Sequence, residues 1–413
     1  MKFRGLGKLA LLAALGVAAI VGGASIAGGA WADEAGTIRL GAAVSLTGKY
    51  SSNGVYTRNG YDLAVKLINE RGGVKVGGKS YKLAIVYYDD ESTPARGAQL
   101  AERLIQQDKV NFILGPYSSG LTEAMAPVTE KYGVPMVEAN GAAISMFRKG
   151  YKYLFAVLST TDQYLRPAVQ LAAAHAADPK ALKVAMAFEN DPFSQDVRDG
   201  VTADAKQFGM KIVVDDKLPP ELNDMSATLT KVKVLKPDLL IVSGHEKGAA
   251  TAIRQIADQR VNVPLLAMTH CDSAQIAEKY GKIAEYTLCG AQWAPSLTYS
   301  DQLFGKASDY AALYEKTYGE PAPYQAAESS AAIEVFADAF SRAGGLDPKA
   351  VRDALSATDL QTFYGPIKFD ETGKNVVKPM VLLQVQDGKY VVVWPEKWAE
   401  AKPRAPTPHW DKR

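Results

Sequence analysis

The octapeptide Gly73-Val74-Lys75-Val76-Gly77-Gly78-Lys79-Ser80 has the G-x-x-x-x-G-K-S spacing of a phosphate-binding loop. That chemistry needs a strand before the loop and a helix after it, so that backbone N–H groups and the helix dipole converge on phosphate. Here the order is reversed, with a helix expected to end at Arg71 and a strand to begin at Tyr81. The stretch is therefore read as a glycine-rich turn. The four histidines, His175, His245, His270 and His409, show no metal-ligand spacing, so neither a metal nor a cofactor is expected. Tyr117-Ser118-Ser119-Gly120 lacks the G-x-S-x-G spacing of a serine nucleophile. His270 and Cys271 are adjacent, and neighbours on a strand point to opposite faces, which is poor placement for proton transfer. Catalysis is not expected.

What remains is a set of short polar loops rich in small hydroxyl, amide and glycine residues: 47–54, 115–120, 140–143 and 189–194. In open α/β sheets ligands bind at the carboxyl ends of strands, where such loops lie. Ser118 and Ser119 stand at the expected start of a helix. Their hydroxyls and the first free N–H groups could hold a carboxylate, with the helix dipole adding about 0.3–1 kcal/mol. Ser119 as a simple helix cap is the competing reading.

The elements that must position these loops alternate along the chain. Residues 38–44 read as a buried strand, and Tyr61, Ala64, Val65 and Ile68 mark one face of a helix. Strands at 81–88, 111–115 and 135–138 follow, with helices between. The rhythm restarts at 184–188 and continues through 211–215, 238–243 and 264–268. Two tandem α/β units with parallel sheets are expected. Residues 299–357 read as a long helical section, and 365–370 and 381–394 as strands around turns.

Compartment and class follow from the first residues and the composition. Lys2, Arg4 and Lys8 precede an uncharged apolar run from Leu9 to Ile26, and Ala30-Trp31-Ala32 has the small-x-small form of a cleavage site. Residues 1–32 are expected to be a secretory signal peptide that sends the rest to the periplasm. No later stretch approaches the ~20 apolar residues of a membrane span. Removing residues 1–32 takes away three basic and no acidic residues, leaving 44 basic against 45 acidic. Near neutrality argues against nucleic-acid binding, which runs on excess cation. The remaining 381 residues are too many for one ordinary core, so two domains are expected. Cys271 and Cys289 could form one disulfide in an oxidising compartment, or remain two thiols.

At its polar loops the chain resembles the type I periplasmic solute-binding proteins of branched-chain amino acid ABC transporters, the leucine-binding protein family. Ile38-Arg39-Leu40-Gly41 through Ser45-Leu46-Thr47-Gly48, Gly60-Tyr61-Asp62-Leu63-Ala64, Tyr88-Asp89-Asp90-Glu91-Ser92, Ile113-Leu114-Gly115-Pro116 and the run from Tyr364-Gly365 to Phe369-Asp370 carry the likeness. It covers nearly all of the chain after residue 32. It implies two Rossmann-like lobes joined by a three-crossing hinge, with lobe 1 at 33–156 plus 292–360, lobe 2 at 157–291 plus 361–396, and a loose tail at 397–413.

The resemblance also implies a ligand site. The carboxylate-holding serine falls on Ser119 beside Ser118, and a backbone-donating loop on Asn140, Gly141 and Ala142. The second lobe's aromatic falls on Phe193. His245 lies at the cleft between Gly244 and Glu246, and the acid that pairs with a ligand ammonium falls near Asp272. Asn53, with Tyr50 nearby, and Tyr324 or Gln325 would close the pocket. Two positions depart from the family: its carboxylate- and ammonium-binding threonine is Ala142, and its ammonium-pairing glutamate is Cys271. A pocket with Tyr50, Tyr117, Phe193 and His245 would suit an aromatic or aliphatic carboxylate. The implied function is capture of a hydrophobic amino acid or related small carboxylate for an ABC permease, by a monomer that is not an enzyme. A sensor reporting to a membrane receptor, or an importer component for aromatic acids or amides, is the alternative.

Overall fold

The computed structural model describes residues 36–413, so the expected signal peptide lies outside the described residues. Seventeen strands and eleven α-helices are named in chain order. The first sheet holds β1 (Thr37–Val44), β2 (Val74–Val76), β3 (Lys79–Asp89), β4 (Ile113–Leu114), β5 (Met136–Glu138) and β6 (Leu154–Ala156), in the order β2-β3-β1-β4-β5-β6. The second holds β7 (Lys183–Glu189), β8 (Lys211–Leu218), β9 (Leu239–Ser243), β10 (Leu265–Thr269), β11 (Leu288–Ala291), β16 (Val381–Gln386) and β17 (Lys389–Trp394), in the order β17-β16-β11-β10-β9-β7-β8. Two small hairpins, β12 (Ser300–Asp301) with β13 (Gly305–Lys306) and β14 (Asp359–Gln361) with β15 (Pro366–Lys368), stand apart from both sheets. The helices are α1 (Ser51–Glu70), α2 (Pro94–Gln106), α3 (Ser119–Tyr132), α4 (Arg166–His175), α5 (Pro192–Gln207), α6 (Ser226–Leu235), α7 (Glu246–Asp258), α8 (Ile276–Tyr280), α9 (Ala307–Tyr318), α10 (Tyr324–Ala343) and α11 (Pro348–Ser356).

The central strands pair in parallel and read as continuous apolar runs because helices cover both faces. Ile38, Leu40, Ala42, Ala43 and Val44 of β1 are all fully buried. The false phosphate loop is the β2–β3 hairpin: Val74 pairs with Tyr81 antiparallel, and Gly77 and Gly78 turn it at φ +53° and +83°. Helix α10 packs on α1, and the approach is close. A Cβ at Gly60 would sit 2.2 Å from the Ala326 carbonyl oxygen, so only glycine fits. Ser330 Oγ donates to the Gly60 carbonyl at 2.7 Å across the same contact.

Several expectations need correction. β2 and β6 were not foreseen, because three-residue strands carry too little pattern. Residues 299–357 begin with the β12–β13 hairpin rather than helix. The strand expected at 365–370 is present as β15, paired with β14 in a separate hairpin. The tail is not loose: Thr407 N–H donates to the Pro264 carbonyl, Trp410 Nε1–H to the Val261 carbonyl, and Gln384 accepts from Arg404 N–H.

The chain passes between the sheets three times, after β6, after β11 and before β16. The three passages are bonded to one another. The Gln292 amide accepts from Ser159 N–H at 3.0 Å and donates to the Ser159 carbonyl at 2.8 Å. Ser159 Oγ donates to the Lys378 carbonyl at 2.7 Å, and the Lys378 ammonium returns to the Gln292 carbonyl. The Asn375 amide donates to the Val157 carbonyl at 2.8 Å.

Candidate functional site

The polar loops meet where the carboxyl ends of the two sheets face each other. Tyr117, Ser118, Ser119, Asn140 and Ala142 come from the loops after β4 and β5, and Tyr324 from the start of α10. Phe193 on the first turn of α5 and His245 after β9 face them from the second sheet. The space enclosed is about 10 Å³, room for roughly one water.

The first side is held by buried hydrogen bonds. Ser118 occupies the cap position of α3 but makes no side-chain cap bond. Ser119 is not a cap either: its Oγ accepts from Ala143 N–H at 3.1 Å and ties the helix start to the next loop. Glu138 at the end of β5 takes N–H groups from Asn140 at 2.5 Å and Gly141 at 2.6 Å, and the Thr122 hydroxyl at 2.7 Å. Burial pushes its carboxyl up to about 7, against those bonds. Gly141 thus serves the loop's shape, since a Cβ there would lie 2.4 Å from Thr122 Oγ1. Asn140 Nδ2 donates to Ser329 Oγ at 2.9 Å, while Asn140 Oδ1 is buried without a partner. Because Ser329 Oγ gives its own proton to the Gln325 carbonyl, the amide is oriented with Oδ1 as the free acceptor. That atom asks a ligand for a donor.

The second side carries a cation. His245 Nε2 lies 3.6 Å from Asp191 Oδ1, and Glu189 accepts from His245 N–H at 3.1 Å. Burial disfavours the imidazolium, but Tyr50, Asp191 and Glu189 outweigh it and push the ring up to about 10. Burial also raises the Tyr50 phenol, which is neutral near pH 7, so the charge that counts is that of Asp191. Glu189, Asp191 and His245 bring ligand atoms within 4.8 Å of one another, a grouping hidden by their separation in sequence. Both nitrogens of His245 are engaged: Tyr117 Oη lies 2.6 Å from Nδ1. Tyr117 in turn lies 3.1 Å from His270 Nε2. His270 is pushed down to about 3 by burial, then by the His245 charge, and its Nδ1–H donates to the Gly244 carbonyl at 2.9 Å. The protons are therefore ordered: His245 donates to Tyr117, and Tyr117 donates to neutral His270.

The lining residues missed from sequence are Leu158, Tyr164, His270, Gln292 and Glu328. Tyr164 Oη meets Tyr324 Oη at 2.7 Å, and the Tyr164 ring stands edge-on to Phe193 at 5.0 Å. Burial holds the Glu328 carboxyl well above its ordinary value. Of the expected residues, Gly141, Asn53 and Asp272 do not line this space, and the last two lie elsewhere. Asn53 lines an adjoining crevice and donates to Glu246 Oε2 at 3.1 Å. Asp272 opens into a separate pocket of about 530 Å³ on the far side of Tyr324. It follows a backbone reversal, His270 having φ +56°, which sequence does not signal. Cys271 and Cys289 are joined in a disulfide, with Cα atoms 5.8 Å apart, so no thiol nucleophile stands beside His270.

Residues 37–389 match the family model described as "Periplasmic binding protein". A Leu/Ile/Val-binding protein homolog 7 of Brucella suis biovar 1 is 26% identical over 392 residues, covering 91% of this chain and 96% of that one. The substrate-binding protein LivJ of Streptococcus pneumoniae, solved with isoleucine, superposes with a TM-score of 0.74 at 22% identity, covering 90% and 100% of the two chains. An R. palustris ABC-transporter solute-binding protein, solved with benzoate, gives 0.73 at 21% identity, covering 87% and 96%. These two likenesses establish the fold, a type I periplasmic binding protein of two α/β lobes.

Proposed function

Because the chain belongs to the periplasmic binding protein family, we propose that it captures a small carboxylate with a hydrophobic or aromatic body and delivers it to an ABC permease. The observation that carries this reading is the polarity of the closed cleft. Ser118, Ser119 and the N-terminus of α3 stand on one side, and the His245 cation on the other. The helix N-terminus favours an anion, and the His245 charge is shared with Asp191. Tyr164, Phe193 and His270 supply aromatic walls, and Asn140 Oδ1 supplies an acceptor for a ligand hydroxyl or ammonium. The ligands named for the similar structures, isoleucine and benzoate, both fit this description. Ala142 leaves no side-chain oxygen where the family has a threonine, which favours an acid that does not depend on its amino group.

In this reading the ligand first meets Ser118, Ser119 and the 140–143 loop. Lobe closure then adds Phe193 and His245 and excludes water. A space of about 10 Å³ cannot hold such a ligand, so loading requires the lobes to part. Residues 1–32 would export the chain to the periplasm, where it would act as a monomer. Among the described residues no helix is long and apolar enough to cross a membrane.

A thermal-shift screen of branched-chain amino acids, benzoates, aliphatic acids and their neutral amides tests the proposal. Stabilisation by acids but not by the matching amides is expected. A chain stabilised only by amides, or by none of these compounds, lacks the proposed specificity.

A further inference from the structure

The pocket of about 530 Å³ beyond Tyr324 is far larger than the closed cleft and of the size that takes small organic molecules. It is lined from both sides: Tyr56 of α1 and Tyr324 of α10 face Tyr390 of β17, with Trp293 from the second crossing between them. Its charges are one-sided. Asp272, Glu278, Glu320 and Glu400 line it against one basic residue, Lys389, exposed at the rim. Glu400 is engaged by Ser296 Oγ and Val392 N–H. Asp272 is different: its Oδ1 is buried and has no hydrogen-bond partner. A buried carboxylate oxygen without a donor is costly unless a ligand completes it.

We propose that this pocket is a second binding site, for a flat organic cation of the amidinium or guanidinium type, which stacks on the aromatic walls and donates to Asp272 Oδ1. Aromatic faces attract cations, and a planar fork of N–H donors matches a carboxylate. Burial, followed by the charges of Glu278 and Glu246, pushes the Asp272 carboxyl up to about 7. A cation beside it would restore the ionised form. The inference goes beyond the carboxylate reading and does not depend on it, because the pocket shares only Tyr324 with the cleft.

Calorimetric titration with benzamidine, and with benzamide as the neutral molecule of the same shape, tests it on the full chain. Benzamidine is expected to bind at least tenfold more tightly than benzamide. Asp272→Asn should erase that ratio, and Glu320→Gln should reduce it without touching the buried site. Ser119→Ala should leave benzamidine binding unchanged. Equal affinity for the two probes, or no binding of either, overturns the proposal. So does loss of benzamidine binding in Ser119→Ala, which would place the cation in the cleft.

Discussion

Tyr117 and His245 meet across the cleft, Oη to Nδ1 at 2.6 Å, one from the loop after β4 and the other from the loop after β9. Parting of the lobes would break the bond. The imidazolium is held from behind by Asp191 and offers its other proton to the phenol. The phenol passes its own to His270. The same residues thus join the lobes and place a buried ion pair at the cleft.

Tyr117→Phe keeps the ring and removes this bridge. A hydrogen bond to a charged group contributes about 1.5–3 kcal/mol, so the variant should favour parted lobes. Small-angle X-ray scattering should give a larger radius of gyration than for the wild type without added ligand. An unchanged radius would mean that other contacts hold the closed form.

Ser119→Ala should weaken binding of the acid selected by the thermal screen by about 1–3 kcal/mol in calorimetry. The variant also leaves Ala143 N–H without its partner, so a small loss of stability should accompany it. Loss of stability with undiminished affinity would reduce Ser119 to a tie between two loops.

The two histidines give opposite pH signatures. His270 is held down to about 3 in the fold and titrates near 6.5 when unfolded. Its contribution is present above pH 6.5 and is lost as pH falls toward 3, by up to roughly 1.4 kcal/mol per unit. His245 is pushed up to about 10. Its contribution is full below pH 6.5 and is lost as pH rises through 10. Urea midpoints measured across pH should therefore show a flatter acid limb in His270→Gln and a flatter alkaline limb in His245→Gln. Parallel curves for wild type and variants would show that neither ring is perturbed.

The disulfide closes a short loop, with a sequence separation of 18. Replacing both cysteines by alanine should lower unfolding stability by about 3 kcal/mol, read from the urea midpoint. The β10–β11 pairing beside it, Met268 with Cys289, should survive in the folded variant. A variant as stable as the wild type would show that the crosslink adds nothing to that pairing.

The strands are legible in the sequence where they are long and apolar, as at 38–44 and 239–243. Legibility fails for β2 and β6, three residues each, which are defined by their partners more than by their own pattern. Most of the expected site residues do converge, because loops at the carboxyl ends of parallel strands have little choice of direction. The place of His270 in the cleft is not legible in sequence, because its own left-handed backbone turns the ring toward Tyr117. The same reversal sends Asp272 into the neighbouring pocket. Tyr164, Gln292 and Glu328 lie in helical and crossing segments, where nothing local distinguishes a lining residue from a core one.

The Gln292, Ser159 and Lys378 bonds unite passages that lie 86 to 219 residues apart in the chain. Strands bonded side by side bend together or not at all. The two halves are left with one shared pivot instead of three separate ones. Bonds of this kind oppose shear and twist and favour bending of all three passages through a common angle.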